Sequence, residues 1–197
     1  MRRIIDLAFA ILSSIGLLPI FLAVAILAKL QSPGPILYKA KRVGQYGAIF
    51  EMYKFRTMVA NADSFGQQLT AYHDPRITPI GSFLRRWKLD EIPQFINIIK
   101  GEMSLIGPRP ESPNYVQHYT QAQRQILQVR PGITGPSQFA NRNESEKLKN
   151  QSNPEQFYIS ILMQEKLQID LEYIKKRNFY SDTLWIVRTI LSIITLK

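Results

Sequence analysis

The chain contains no cysteine. Disulfides, thiolate metal sites and a cysteine nucleophile are therefore excluded, and a reducing compartment is allowed without being required. Acidic residues are scarce, with 15 Asp and Glu against 25 Lys and Arg, a formal charge of +10. That shortage excludes an acidic, cation-buffering surface and suits an anionic partner: nucleic acid, a phosphate-bearing substrate or acidic lipid. There is no repeat, no low-complexity tract and no sign of a second domain, so the 197 residues read as one domain with a modest core. The charge is uneven. Residues 1–60 hold eight basic and two acidic residues, so +6 of the +10 lies beside the hydrophobic N-terminus. This favours a membrane surface over a nucleic-acid groove.

Charge is also absent from Leu7 to Ala28, "LAFAILSSIGLLPIFLAVAILA", whose 22 residues are enough to span a bilayer core as a helix. Three readings compete. A cleaved signal peptide would use Arg2 and Arg3 as its basic start, but the run is long, Lys29 follows it, and no small-x-small site closes it. A straight transmembrane anchor is the second reading. The third is a helix that enters and turns back. Pro19 removes one backbone hydrogen bond and crowds the carbonyl of Ile15, which predicts a kink, and Ser13, Ser14 and Gly16 stand ready to satisfy the freed groups. Both flanks are basic: Arg2 and Arg3 before, then Lys29, Lys39, Lys41 and Arg42 after. A spanning helix puts only one flank on the cytoplasmic side, whereas a re-entrant helix puts both there. The residues alone leave the anchor and the re-entrant helix even.

The rest reads as short elements. "QSPGPILYKAKRVGQYG" (31–47) is a turn, a short apolar strand and a basic turn. "AIFEMYKFRTM" (48–58) predicts a strand with Phe50, Met52 and Lys54 on one face and Glu51, Tyr53 and Phe55 on the other. Residues 59–80 are polar, "HDPRITPIG" (73–81) reads as a loop, and "SFLRRWK" (82–88) opens a short helix. Ile92, Phe95, Ile96 and Ile99 fall at i, i+3, i+4 and i+7, predicting a helix that starts near Asp90 and is capped by Gly101. "SLIGPRPESP" (104–113) and "VRPGITGPSQF" (129–139) are rigid loops, residues 114–128 are helical, 141–156 are polar and exposed, and 155–176 form a helix. "NFYSDTLWIVRTILSIITLK" (178–197) places Trp185, Ile186, Ile190, Ile193 and Ile194 beside Arg188 and Lys197. It lies in a membrane interface or closes the core, and the pattern does not choose.

"RRWKLDEIPQF" (85–95) sets Asp90 and Glu91 side by side behind Arg85, Arg86 and Lys88. The plain reading makes Asp90 a helix N-cap. Three features favour chemistry instead. Basic neighbours and a helix start lower a carboxyl pKa and keep Asp90 ionised, as a nucleophile or metal ligand requires. Adjacent helical side chains diverge by about 100°, which suits two separate roles. Nearby loops offer Arg109 from "GPRPE", Lys54 and Arg56 from "YKFRT" and Arg142 from "NRN", and arginine suits phosphate. A carboxylate can attack phosphorus to give an acyl phosphate, with Mg²⁺ shielding both attacker and diphosphate. The residues lead to phosphoryl chemistry at a membrane and stop there.

Three strings, "SPGPILYKAKRVGQYGAIFEMYKFRTM" (32–58), "DPRITPIGSFLRRWKLDEIPQFINIIKGEMSLIGPRP" (74–110) and "VRPGITG" (129–135), resemble the bacterial sugar transferase family, specifically its small monotopic polyprenyl-phosphate phosphoglycosyl transferases. With the N-terminal segment they cover most of the chain. The resemblance implies a mostly helical α+β fold: a re-entrant membrane helix over residues 1–30, broken at Pro19, then a small cytoplasmic α/β catalytic domain over 31–197 with amphipathic interfacial helices. It implies transfer of a sugar-1-phosphate from a UDP-sugar to polyprenyl (undecaprenyl) phosphate with release of UMP. It also implies Asp90 as the nucleophile carrying the phospho-sugar, Glu91 completing the dyad, Mg²⁺ beside them, and Arg109 as a phosphate ligand. Arg142, Lys54, Arg56 and Arg85 match family cations more loosely, and Asp170 of "IDLEY" falls where the family has an aspartate before a tyrosine. The implied location is the cytoplasmic face of the bacterial inner membrane, with lipid as a partner, no nucleic acid, and a homo-oligomer left open.

Two departures stand out. Pro136 and Ser137 follow "PGITG" where the family has Trp, and "ANRN" replaces Asn-Gly-Arg-Asn; both bear on the donor sugar. The chain also lacks the extra N-terminal membrane helices of larger relatives, which leads us to expect the minimal catalytic form. Two other functions are carried as alternatives: a glycosyltransferase that moves only the sugar and releases UDP, and a non-enzymatic module that binds anionic lipid.

Overall fold

The computed structural model describes residues 2–31, 33–62, 69–70, 74–149 and 151–195. The chain is mostly helical with two small two-stranded sheets, an α+β arrangement. The N-terminal apolar run forms two helices, α1 (Arg2–Gly16) and α2 (Leu18–Gln31), bent by 61° at Leu17. Pro19 is the second residue of α2, where its missing N–H costs little, and the break falls on the Gly16–Leu17 step just before it. Across the break the N–H of Leu17 still reaches the Ser13 carbonyl (2.9 Å), and the Ser14 hydroxyl donates to the Ala10 carbonyl (2.6 Å). Among the described residues no single helix is long and apolar enough to cross a membrane, although the bent pair together has the length and composition.

Both ends of this pair are tied to the same body. At the N-terminal end Arg3 donates to the carbonyls of Ile98 and Ile99 (2.6 and 3.1 Å), and Arg2 pairs with Asp182 (3.1 Å). Asp6, buried, accepts from the Ser104 hydroxyl and the Leu105 N–H. At the other end Arg56 donates to the carbonyls of Ala28 and Pro33, and Lys29 to that of Gly34.

Strands β1 (Leu37–Val43) and β2 (Ile49–Phe55) form an antiparallel hairpin in register Leu37↔Phe55 through Val43↔Ile49. Phe50 and Met52 are buried as expected from the alternation, but so is Phe55 on the opposite face, because its ring meets Phe21 of α2 at 4.8 Å. Next comes α3 (Pro79–Arg86). It begins within the segment read as a loop, since Thr78 caps it by accepting from the Gly81 N–H at 3.0 Å and proline occupies the first turn; His73 of that segment lies outside the described residues. A 3₁₀ turn (Leu89–Glu91) leads into α4 (Gln94–Lys100), which ends at Gly101 with φ +88°.

The α4 stripe read from the sequence is split: Phe95 and Ile92 pack against core clusters while its other half faces out. Ile96 and Ile99 are exposed, and the buried positions are Gln94, Asn97 and Ile98. Asn97 explains the rotation. Its amide accepts from the Tyr53 N–H (3.0 Å) and donates to the Glu51 carbonyl (2.7 Å), which completes the free edge of β2.

The two Pro/Gly loops cross each other. β3 (Ser104–Ile106) pairs in parallel with β4 (Gly132–Thr134), and the chain beyond passes so close that a Cβ on Gly132 would lie 2.1 Å from the Gly107 nitrogen. Only glycine permits that approach, and it sets the loop carrying Arg109. The remainder is helical. α5 (Pro113–Val116) and a 3₁₀ turn (Gln123–Gln128) stand where one helix over 114–128 was expected, and α6 (Pro136–Ala140) follows β4. The polar stretch 141–156 is not a bare exposed loop: it contains α7 (Glu144–Lys149), held by buried Leu148. α8 (Pro154–Phe157) runs through one π turn (Tyr158–Leu162) into α9 (Met163–Lys176), as the expected helix over 155–176.

The last helix, α10 (Phe179–Ile194), closes the core with one face and leaves another exposed. Trp185 and Ile186 pack on the core beneath the hairpin, while Phe179, Tyr180, Val187 and Leu191 are exposed. Lys197 lies outside the described residues.

Candidate active site

Asp90 and Glu91 sit on the 3₁₀ turn between α3 and α4. The chain enters that turn through Lys88 in the left-handed region (φ +55°). Leu89 and Ile92, on either side of the acids, pack against the cluster of Val24, Phe55 and Leu84, so apolar burial clamps the turn on α2. Asp90 is therefore not the N-cap of α4, which starts four residues later behind Pro93.

The two carboxylates have opposite surroundings. Glu91 Oε1 accepts from the Lys54 ammonium (3.0 Å) and the Arg109 guanidinium (2.7 Å). Burial pushes its pKa up, but Arg109 and then Lys54 outweigh burial and hold the carboxyl well below its usual range. Asp90 is equally buried, yet among the described residues no group donates a hydrogen bond to it. Burial raises its pKa, with Glu91 adding to the rise and Lys54, Lys88 and Arg85 opposing it. The expected depression is thus reversed, because burial outweighs the pull of Lys54, Lys88 and Arg85.

Lys54 comes from β2, and burial lowers its pKa against the pull of Glu91. Arg85, from the last turn of α3, donates to the Thr57 hydroxyl (2.8 Å) and feels the charge of Asp90. Arg109 reaches in from the crossed loops. Asp90, Glu91, Lys54, Arg85 and Arg109 are thus brought together. The other residues singled out in the sequence are elsewhere. Arg56 binds the carbonyls at the end of α2. Arg142 is exposed and stacks on Phe139 (5.5 Å), whose ring meets Trp185 edge-on. Asp170, on α9, accepts from the Ser137 hydroxyl (2.8 Å) and keeps its second oxygen buried and unpartnered; burial pushes its pKa up to about 7. Pro19 lies at the helix break.

Two features went unread in the sequence. Buried Lys166 donates to Glu111 (3.0 Å), Glu144 (3.1 Å) and the Tyr158 hydroxyl (2.8 Å), and Tyr158 in turn donates to Glu111. These residues are scattered over 55 positions with no spacing to join them. Gln94, one turn beyond Asp90, is fully buried with neither amide atom bonded. Its position at the helix start was the only signal.

Mg²⁺ typically takes one or two carboxylates and completes its shell with waters and substrate phosphates. Among the described residues no three acids or histidines converge, so an all-protein cage is not offered. Asp90, with no hydrogen bond to lose, fits the one-carboxylate mode; Glu91 is already held by two cations.

The small α+β body thus clamps a carboxylate that no described group donates to, beside Lys54 and Arg85 and one residue from the Glu91–Arg109 pair. Comparison with known proteins agrees on the lineage: the bacterial sugar transferase model matches residues 1–196, and the chain belongs to that family. It is 35% identical over 98% of its length to a UDP-N-acetylgalactosamine-undecaprenyl-phosphate N-acetylgalactosaminephosphotransferase of Aeromonas hydrophila, covering 44% of that protein. It is 37% identical over 98% of its length to the UDP-glucose:undecaprenyl-phosphate glucose-1-phosphate transferase of Xanthomonas campestris, covering 38% of it. A Caulobacter vibrioides transferase of the same name is 32% identical, with 98% of this chain matching 70% of that protein. The chain spans less than half the length of the first two relatives.

Proposed function

We propose that this protein transfers a sugar-1-phosphate from a UDP-sugar to polyprenyl phosphate, releasing UMP and forming a polyprenyl-diphospho-sugar. The single observation that carries this reading is Asp90: a carboxylate to which no described residue donates a hydrogen bond, under the charge of Lys54 and Arg85 and next to Glu91, which holds Arg109. In this scheme Lys54, Arg85 and Arg109 draw in the diphosphate. An Asp90 oxygen attacks the phosphorus that bears the sugar, the bond from that phosphorus to the bridging oxygen breaks, and UMP leaves with the electron pair. A phosphate oxygen of the acceptor then attacks the same phosphorus and frees the Asp90 carboxylate. Partial burial favours the step, because a carboxylate held by no described protein donor gives up no hydrogen bond on becoming an acyl phosphate. Glu91 holds Lys54 and Arg109 in place. Asp90 would hold Mg²⁺ together with the substrate phosphates, and the ion would neutralise charge on the diphosphate.

The upward shift of Asp90 favours a second reading within the same reaction, direct transfer with Asp90 as a base. Incubation with a panel of UDP-sugars separates the possibilities. UMP released in a stoichiometric burst without acceptor supports the covalent route, UMP only with acceptor supports direct transfer, and UDP would overturn both in favour of a sugar-only glycosyltransferase. Release of neither nucleotide leaves the lipid-binding module.

The same reading puts the protein on the cytoplasmic face of the bacterial inner membrane, with α1 and α2 as a re-entrant pair. Support comes from the 61° bend, the exposed Ile4, Leu12, Ile15 and Leu30, and the attachment of both ends to one body. Phe179, Tyr180, Val187 and Leu191 of α10 would lie in the interface. Protease protection of a tag placed in the turn at Leu17 tests this, and cleavage from the outer side of sealed spheroplasts would overturn it.

A further inference from the structure

Two buried amides lie three residues apart on one face of α4, and they are employed differently. Asn97 accepts from the Tyr53 N–H (3.0 Å) and donates to the Glu51 carbonyl and the Glu102 carboxylate (2.7 Å each). Gln94 is 0% exposed, and neither its Nε2 nor its Oε1 has a partner. Among the described residues only two other buried side-chain atoms share that condition, the Tyr115 hydroxyl and one Asp170 oxygen. An unpaired buried amide is costly, and a methionine of similar length would pack there without the cost. Packing alone therefore gives no reason for glutamine at this position.

The chain path sets what Gln94 can reach. Between the 3₁₀ turn and α4 the backbone stays helical, with Ile92 at φ −51°, ψ −41° and Pro93 at φ −61°, ψ −14°. The N–H of Ile92 donates to the Leu89 carbonyl, and those of Phe95 and Ile96 to the carbonyls of Ile92 and Pro93 (3.2, 3.1 and 3.0 Å). On such a path residues three and four apart share a face, so Gln94 shares its face with Glu91 and Asp90 behind and Asn97 ahead. Helical side chains lean toward the N-terminus, which carries the Gln94 amide over the dyad's turn. Strand β2 covers this face on both sides of Gln94, through Lys54 on Glu91 and through Tyr53 and Glu51 on Asn97. The amide thus lies behind the dyad, where protein groups rather than solvent reach it. Asp90, four residues back, is the buried carboxylate to which no described residue donates. A donor without an acceptor and an acceptor without a donor stand one helical turn apart.

We propose that Gln94 is a further catalytic residue: in the reacting state its Nε2–H donates to one carboxylate oxygen of Asp90 and presents the other to phosphorus. The proposal rests on the reaction given above for the role of Asp90. The oxygen that Gln94 holds becomes the carbonyl oxygen of the acyl phosphate. When an acceptor oxygen attacks phosphorus, the bond from phosphorus to Asp90 breaks, its electron pair returns to the carboxylate, and the amide meets the returning charge. No proton moves to or from Gln94. The two groups are not bonded in this structure, so their pairing stabilises the reacting state rather than bound substrate.

Two measurements on the full chain in detergent micelles test it. The first is kinetic. Gln94→Met should lower kcat for UMP release by about tenfold to a hundredfold, as loss of one hydrogen bond to a charged group requires, with the KM for the UDP-sugar unchanged. Its melting temperature should hold or rise, because an unpaired buried amide is removed. Gln94→Leu, of different shape, should repeat both results. An unchanged kcat overturns the proposal, and a fall in melting temperature in both variants overturns it by making Gln94 a structural residue. The second measurement needs no donor. Beryllium fluoride with Mg²⁺ mimics a phosphate on a carboxylate, and its binding is followed by fluorine NMR. A bound signal that is lost in Asp90→Asn, with affinity about tenfold weaker in Gln94→Met, is expected. Equal affinity in the parent and Gln94→Met, or no Asp90-dependent signal in the parent, overturns the proposal. The expected binding in a protein that releases no UMP from any donor would instead overturn the reaction and leave Gln94 as the partner of a phosphorylated Asp90.

Discussion

The molecule buries two charged clusters, and they are built on opposite plans. Around the dyad, Lys54, Arg85 and Arg109 outnumber Asp90 and Glu91, and Asp90 accepts no hydrogen bond. Around Lys166, a single ammonium donates to both Glu111 and Glu144, with Arg42 adding its charge to Glu111, and the Tyr158 hydroxyl closes the set. The second cluster is complete without a ligand and ties α7 and α9 to the loop that carries Arg109. The first is cationic and, among the described residues, leaves the Asp90 carboxylate without a donor and open to a ligand. The contrast separates charge kept for structure from charge kept for chemistry.

The sharpest way to break the contrast is Asp90→Asn. Turnover should fall by about a thousandfold or more, and the melting temperature should hold or rise, because burial disfavours the Asp90 charge more than its cations favour it. A clear loss of stability in a thermal melt would make Asp90 a structural ion and erase the distinction. Lys166→Met should do the reverse. It leaves Glu111 and Glu144 facing each other and should cost about 3–5 kcal/mol in urea unfolding, while UMP release per folded molecule stays near the parent value.

A smaller effect comes from Asp170. Its folded-state pKa, about 7, lies above the ordinary 3.8, so its contribution to stability is fully present below pH 3.8 and is lost as pH rises through 7. Asp170→Asn keeps the acceptor for Ser137 and removes the titration. It should raise the melting temperature more at pH 8 than at pH 5, and an equal rise at both would place the titration elsewhere. The smallest effect belongs to Arg56→Gln. Loss of its bonds to Ala28 and Pro33 should cost about 1 kcal/mol with little change in donor KM. Arg109→Gln, by comparison, should raise that KM severalfold, and equal effects of the two would put Arg56 back among the phosphate ligands.

Much of the site was readable from residue types. "LDEIP" and "GPRP" are local, and the chemistry of a carboxylate pair near arginines does not depend on knowing the fold. The hairpin, the cap at Gly101 and the long helix ending at Lys176 follow from short-range patterns for the same reason. What misled was also local. The apolar stripe of α4 was a true helical signal, but periodicity does not say which side meets water and which meets lipid or another helix. Asp90 looked like a cap because acids before a helix usually are. The state of its carboxyl could not be read at all, since the decisive facts are that Lys54 and Arg109 turn to Glu91 and that Leu89 and Ile92 bury the turn.

The sequence by itself determined the strand over β2, the cap at Gly101, the helix ending at Lys176 and the break near Pro19, because each is set by chemistry within a few residues, and the cationic excess, which is composition. Only the tertiary structure decided that Asp90 and Glu91 differ and that Lys166 closes a cluster spread over 55 positions. Burial and charge pairing are properties of which segments meet, and those meetings join α2 to α4, β2 to the crossed loops and α9 to Glu111.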